Sequence, residues 1–144
     1  MRQTTFGMVK PGMADRKGAV AAAQTQLKAA RLRVLWWKTV RLTPALAEAM
    51  YSEHRGRFFF QRLMLFMRDE DVDVFAAEGE DAVRKWREII GPTHRAVNAV
   101  MPGTLRGQFA QSDTRNAFHG SGSEEEALRE MEVFKAVRSV RDGQ

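Results

Sequence analysis

Apolar positions along this chain fall into short blocks whose spacing switches between strand-like and helix-like. Thr4 to Val9 (TTFGMV) is a compact apolar run rich in β-formers and predicts a strand, stopped by Lys10-Pro11-Gly12. Ala19 to Ala30 is alanine-rich and predicts a helix. Leu32 to Val40 (LRVLWWKTV) reads as a second strand, buried in its middle. Thr43-Pro44 is a helix start, with threonine at the N-cap and proline in the first turn, and the helix is expected to run to about Ser52. After Gly56, apolar residues recur at helical spacing from Phe59 to Met67 (Phe59, Leu63, Phe66, Met67). Val72 to Ala77 alternates as a third strand, and Asp81 is expected to cap a helix from Ala82 to Ile90 that ends at Gly91-Pro92. Thr93 to Arg115 shows no period and is expected to be irregular, with two glycine turns. Ala117 to His119 is a short strand. Ser123 and Glu126 form a capping box that opens a last helix reaching about Val137, followed by a frayed tail.

The order β-α-β, helices, β-α-β-α suggests an α/β sandwich with the helices on one face of an antiparallel sheet. The 144 residues form one domain by size, 1–144, with no internal repeat or linker. A chain of this length buries about two-thirds of its unfolded surface, so it needs no metal or disulfide to hold a core. With no cysteine, disulfides, zinc thiolate sites and thiol catalysis are excluded. Apolar runs are too short to span a bilayer, and strand-like sequence from Gln3 onward leaves no secretory leader. The net charge of +5 suits phosphate-bearing partners without choosing between nucleotide and nucleic acid.

Candidate chemistry centres on one of three histidines. His119 follows a strand and precedes Gly120-Ser121-Gly122-Ser123, which leads into a helix whose N-terminus attracts anions. A neutral imidazole there can attack phosphorus and split one transfer into two steps. Glu130, on the same helix, is placed to fold back and fix the ring tautomer. By spacing alone, a surface histidine capping a turn is the favoured reading, since single histidines are rarely catalytic. Lys10, Arg57, Arg87 and Arg106 sit at element edges or turns, where phosphoryl transfer needs cations. Nothing in spacing selects these four from the 23 lysines and arginines. Among Phe58, Phe59 and Phe60, the outer two read as core and Phe59 as a candidate to stack on a base. No Walker loop or dinucleotide fingerprint is present.

Five blocks taken together carry a resemblance. Arg115-Asn116-Ala117-Phe118-His119-Gly120-Ser121 resembles the R-N-x-x-H-G-S signature of nucleoside diphosphate kinases. Met8-Val9-Lys10-Pro11, Tyr51 through Phe60, Trp86-Arg87 through Gly91-Pro92-Thr93, and Pro102-Gly103-Thr104-Leu105-Arg106-Gly107 resemble four further blocks of that family, in its order, from residue 4 to about 134. R-G-R-F-F-F-Q-R-L, K-W-R and G-P-T are most similar to the divergent type-6 branch.

The resemblance implies a ferredoxin-like βαββαβ core and a ping-pong kinase that carries the γ-phosphate of ATP to a nucleoside diphosphate through phospho-His119. Glu130 would bond the other ring nitrogen, Tyr51 and Lys10 would sit beside the transferred phosphate, and Lys10 and Asn116 would touch the sugar hydroxyl. Arg57, Arg87, Thr93 and Arg106 would hold phosphates, with Ser121 also on the substrate-binding side. Phe59 would stack on the base, with Leu63 one turn behind it. Magnesium would arrive on the nucleotide phosphates, with no side-chain cage. Nucleoside tri- and diphosphates are the expected partners, with neither membrane nor nucleic acid among them. A homo-oligomer (dimer, tetramer or hexamer) is implied, with a monomer left open. Cytoplasmic placement is expected, with mitochondrial placement as the alternative. A protein-binding domain with weak or absent catalysis is the rival reading.

Departures from the family pattern are Gly12 for the acidic or amide residue after K-P, Phe58 for the proline of R-P-F-F, and Gly122 for the aspartate after H-G-S. His94-Arg95 replaces N-P, and one extra residue precedes Pro102. Asp113 replaces a small apolar residue that faces the base, a change expected to loosen base binding. The altered His94–Met101 loop and the early stop after the last helix weaken the expectation of a hexamer.

Overall fold

A computed structural model of the protein describes residues 1–11, 15–52, 56, 61, 64–65, 69–113 and 115–140. Four strands, β1 (Arg2–Val9), β2 (Arg33–Leu42), β3 (Glu70–Glu80) and β4 (Phe118–Gly120), form one sheet in the order β2-β3-β1-β4. All three neighbouring pairs are antiparallel. The helices with full bounds are α1 (Arg16–Ala29), α2 (Pro44–Met50), α3 (Ala82–Ile90), α4 (Arg95–Asn98), α5 (Leu105–Phe109) and α6 (Glu124–Phe134). This order and pairing give the ferredoxin-like βαββαβ arrangement expected from the sequence.

Helices cover both faces of the sheet, which corrects the one-face expectation. Phe6 and Met8 of β1 pack with Val72 and Val74 of β3 against Ala47 and Met50 of α2 and Ala127 and Phe134 of α6. Val9, Phe75 and Ala77 pack on the opposite face against Ala19, Ala23 and Leu27 of α1 and Trp86 of α3. The reason lies in β3, where every residue from Val72 to Ala77 is buried. A strand covered on both sides reads as a continuous apolar run. The one polar residue in that run, Asp73, gives the false appearance of alternation. Its carboxylate is satisfied by Arg16 of α1 and by Trp37 Nε1 of β2, at 2.5 Å.

Local signals held in part. Thr43 Oγ1 accepts the N–H of Leu46 at 3.3 Å, a cap worth about 1 kcal/mol. Ser123 Oγ accepts from Glu126 N–H at 3.1 Å, while the Glu126 carboxylate reaches Gly122 N–H at 2.9 Å, one residue outside the usual box. Asp81 precedes α3 but makes no side-chain cap, because its backbone is left-handed at φ 49°. Gln3 Oε1, 3.4 Å from Val83 N–H, stands there instead. The last helix stops at Phe134, where Lys38 Nζ donates to the carbonyls of Phe134 and Val137 at 3.0 Å each. Thr93–Arg115 is not irregular throughout, since α4 and α5 lie within it. Helices of 4 and 5 residues are too short to show a period. In the stretch expected to be helical after Gly56, Gln61, Met64 and Leu65 are helical, whereas Phe59, Leu63, Phe66 and Met67 lie outside the described residues.

Candidate active site

His119 sits on the shortest strand, β4, which pairs only with Gly7–Val9 of β1 and sets Met8 opposite His119. Three residues of pairing would fray alone. Two side chains pin it: Trp86 Nε1 donates to His119 O at 3.0 Å, and Arg106 Nη2 donates to Phe118 O at 2.9 Å. Gly120 allows the close approach to α3, because a Cβ there would lie 2.8 Å from Trp86 Cδ1. Just before the strand, Phe118 N–H donates to Asn116 O at 2.9 Å across Ala117, whose φ is 75°. That three-residue turn with a left-handed non-glycine centre stores about 1–3 kcal/mol of strain, a kind that clusters at functional sites.

The imidazole is held from behind. His119 Nε2 lies 2.8 Å from Glu130 Oε1, and Glu130 is 1% exposed against 19% for the histidine. Ser121 Oγ donates to the same carboxylate oxygen at 2.5 Å. Burial pushes the Glu130 carboxyl up, but the bond from His119, its nearby charge and the Ser121 bond outweigh burial and hold it below the ordinary range. An ionised Glu130 therefore accepts a proton-bearing Nε2, which leaves the lone pair on Nδ1. Phe6 packs edge-on against the ring at 6.1 Å.

Cations come in from the adjoining elements. Lys10, at the end of β1, is buried; its N–H donates to Ala117 O at 2.8 Å and its Nζ to Asn116 Oδ1 at 2.9 Å. Burial, and then the charge of Arg106, lower its ammonium to about 7. Arg106 of α5 donates to Gly91 O at 2.8 Å and Thr93 Oγ1 at 3.2 Å, besides Phe118 O. Its Nε is buried with no hydrogen-bond partner among the described residues. Burial, and then the charge of exposed Arg87, lower it to about 10. Tyr51, at the end of α2, is buried with its Oη 3.9 Å from Met8 Sδ, and burial, followed by the charge of Glu130, pushes its phenol up. Two buried cations whose charged forms are both disfavoured make a site that an anion would relieve.

The structure thus joins His119 with Glu130, Lys10 with Asn116, and Arg106 with Thr93, and brings the charge of Arg87 to bear on Arg106. Ser121, expected on the substrate-binding side, is fully buried and bonded to the carboxylate that holds the ring. Arg57, Phe59 and Leu63 lie outside the described residues. Sequence reasoning missed Trp86 and Phe6, which fix the strand and the ring; their contacts are tertiary and leave no local signal. Among the described residues, no group of three or more His, Asp or Glu is set to hold a metal ion. No described helix is long and apolar enough to cross a membrane.

A carboxylate-held imidazole on a ferredoxin-like sheet, with buried cations gathered at the same strand ends, has the equipment of a phosphotransferase that works through histidine. The model of the family described as nucleoside diphosphate kinase matches residues 3–139. A probable nucleoside diphosphate kinase of Dictyostelium discoideum is 40% identical over 111 residues, covering 67% of this chain and 69% of its own. The crystal structure of the Aquifex aeolicus nucleoside diphosphate kinase is similar at a TM-score of 0.86 and 36% identity, covering 93% of this chain and 95% of its own. A halophilic nucleoside diphosphate kinase from Halobacterium salinarum, solved in complex with CDP, is similar at 0.82 and 33% identity, covering 93% and 88%. The chain belongs to the nucleoside diphosphate kinase family. Its activity is the family's, transfer of the γ-phosphate of a nucleoside triphosphate to a nucleoside diphosphate, and a purely protein-binding role is not favoured.

Proposed function

We propose that the transfer runs by ping-pong through a phosphate carried on His119 Nδ1. The observation that carries this reading is the 2.8 Å contact between Nε2 and Glu130 Oε1, which fixes the tautomer and leaves Nδ1 as the nucleophile. Nδ1 bonds to the γ-phosphorus, the bridging oxygen leaves with the nucleoside diphosphate, and Nε2 keeps its proton against Glu130. A terminal oxygen of a second diphosphate then takes the phosphoryl group, and the Nδ1–P bond breaks. Arg57, Arg87, Thr93 and Arg106 hold phosphates, and Tyr51 and Lys10 lie beside the transferred group. Lys10 and Asn116 bind the sugar hydroxyl, and Phe59 stacks on the base with Leu63 behind it. Ser121 acts through Glu130.

The donors gathered near His119 are cations and an amide group, and the buried carboxylate of Glu130 is engaged by His119 and Ser121. That donor set fits a magnesium ion only when the nucleotide phosphates bring it. Magnesium so bound neutralises phosphate charge. The CDP complex of the Halobacterium salinarum relative supports nucleoside diphosphates as ligands. We further place the chain nearest the type-6 branch, in the cytoplasm with mitochondria as the alternative, and as a homo-oligomer.

The test is to label the protein with γ-labelled ATP, strip the nucleotide, and add GDP. An acid-labile, base-stable phosphate that moves to GTP without further ATP is expected. Folded protein that takes no label would overturn the reading.

Lys10 supplies a second expectation. Its folded pKa of about 7 lies below the ordinary lysine value of 10.5, so the free protein gains stability as pH rises from about 7 towards 10.5 and has lost that gain once pH falls back to about 7. A bound phosphate favours the ammonium form. Near pH 8, nucleotide binding should therefore take up about one proton at most per site. Calorimetry in buffers of different ionisation enthalpy reads that uptake directly. It should vanish in Lys10→Met, and no buffer dependence in the unmodified protein would contradict it.

A further inference from the structure

The segment that opens α4 and the segment before β4 meet at one side chain, Asp113. Its Oδ1 accepts the N–H of Arg95 at 2.6 Å, and its Oδ2 lies 3.4 Å from His94 Nδ1. Arg95 opens α4, whose N-cap residue, His94, makes no side-chain cap. Asp113 thus caps that helix from 18 residues downstream. The Arg95 bond, and then the His94 bond, hold the Asp113 carboxyl below the ordinary range. Through its main chain the same residue faces the other way: Asp113 O accepts from Asn116 Nδ2 at 3.0 Å, and Asn116 Oδ1 accepts from Lys10 Nζ at 2.9 Å. Upstream, Thr93 Oγ1 accepts from Arg106 at 3.2 Å, and Arg95 Nη1 donates to Arg106 O at 3.3 Å. The contacts form an unbroken series from Arg106 through Thr93, His94, Arg95, Asp113 and Asn116 to Lys10.

We propose that Asp113 is a positioning residue that locks the two segments together, so that the Arg106–Thr93 and Lys10–Asn116 pairs meet the nucleotide as one preformed unit. This inference rests on the proposed phosphate-binding role of Lys10 and Arg106. A proline at position 95, as in the N-P of the family pattern, has no N–H to give, so the lock requires the residue this chain carries there. His119, Glu130 and Ser121 make no contact with Asp113 among the bonds described, so the chemistry at the ring does not depend on the lock. Without it the two pairs move separately, and ordering them falls on nucleotide binding.

Asp113 is exposed in a loop, so the chain tolerates substitution there. With ATP as donor, Asp113→Ala should raise KM for GDP about five- to tenfold and leave kcat within about twofold. Asp113→Asn, which keeps an acceptor for Arg95 N–H, should restore most of that loss. Arg95→Pro removes the donor at a helix position proline favours. It should raise KM as well, and adding Asp113→Ala to it should cost little more. Hydrogen exchange at the Arg95 amide reads the lock without turnover and should speed up in Asp113→Ala. An unchanged KM in Asp113→Ala, or fully additive effects in the double variant, would overturn the proposal. A protected Arg95 amide in an unmodified protein that accepts no phosphate from ATP would instead sink the proposed phosphate-binding role of Lys10 and Arg106, and the proposal with it.

Discussion

His119→Ala is expected to lower kcat by at least about 10⁴-fold and to leave no phosphorylated protein after exposure to γ-labelled ATP. Removing the proposed nucleophile removes the covalent route, and what survives is whatever direct transfer the nearby cations support. The substitution also leaves Glu130 buried without the bond and charge that hold its carboxyl down. Its pKa should rise, with Ser121 and the more distant Arg129, at 3.6 Å, as remaining partners. Glu130→Gln separates the two roles. It keeps an acceptor for Nε2–H and removes the negative charge that stabilises a developing imidazolium, so phosphorylation should persist, slowed about 10- to 100-fold. Rapid-quench measurement of the first phosphorylation step distinguishes the variants. A His119→Ala protein that still turns over within tenfold of the original would place the nucleophile elsewhere.

The relation between His119 and Glu130 was readable in the sequence because His119 precedes a helix start and Glu130 lies on that helix, and S-x-x-E fixes where it begins. Lys10 was readable as the residue ending an apolar strand against Pro11. What the sequence hid is tertiary. Asp73 looked like the outward residue of a half-buried strand, and only the convergence of Arg16 and Trp37 shows how a carboxylate survives on a covered face. Asp81 looked like a cap, but a left-handed backbone turns its side chain away from the helix N–H groups and toward the N-terminus and Arg84. Asp113 stood out as a departure from the family pattern, and so did Arg95; that one answers the other became legible only once the fold set them 2.6 Å apart. The four candidate cations could not be chosen by spacing. Burial sets two of them apart, since Lys10 and Arg106 are covered, while Arg87 is exposed and Arg57 lies outside the described residues.

Arg106→Ala should lower kcat/KM by about 10²–10³-fold, or about 2.7–4 kcal/mol of transition-state stabilisation. The guanidinium is nearly buried and joins three segments: Gly91 and Thr93 after α3, its own helix α5, and Phe118 beside the histidine. Its loss therefore removes both the charge proposed to hold phosphate and one of the two side chains that pin β4. Arg106→Lys tells these apart. An ammonium restores the charge but cannot reach both sides as the planar fork does, so the lysine variant should recover only part of the activity. If pinning matters, Arg106→Ala should also lower the melting temperature, and Arg106→Lys should not fully restore it. Lys10 reports on the charge independently. Arg106 is one of the two causes of its lowered pKa, so in Arg106→Ala the Lys10 ammonium should titrate above about 7, as read by NMR of labelled lysine. Activity within threefold of the original, together with an unmoved Lys10 titration, would mean that this arginine neither grips phosphate nor shapes the field in which His119 works.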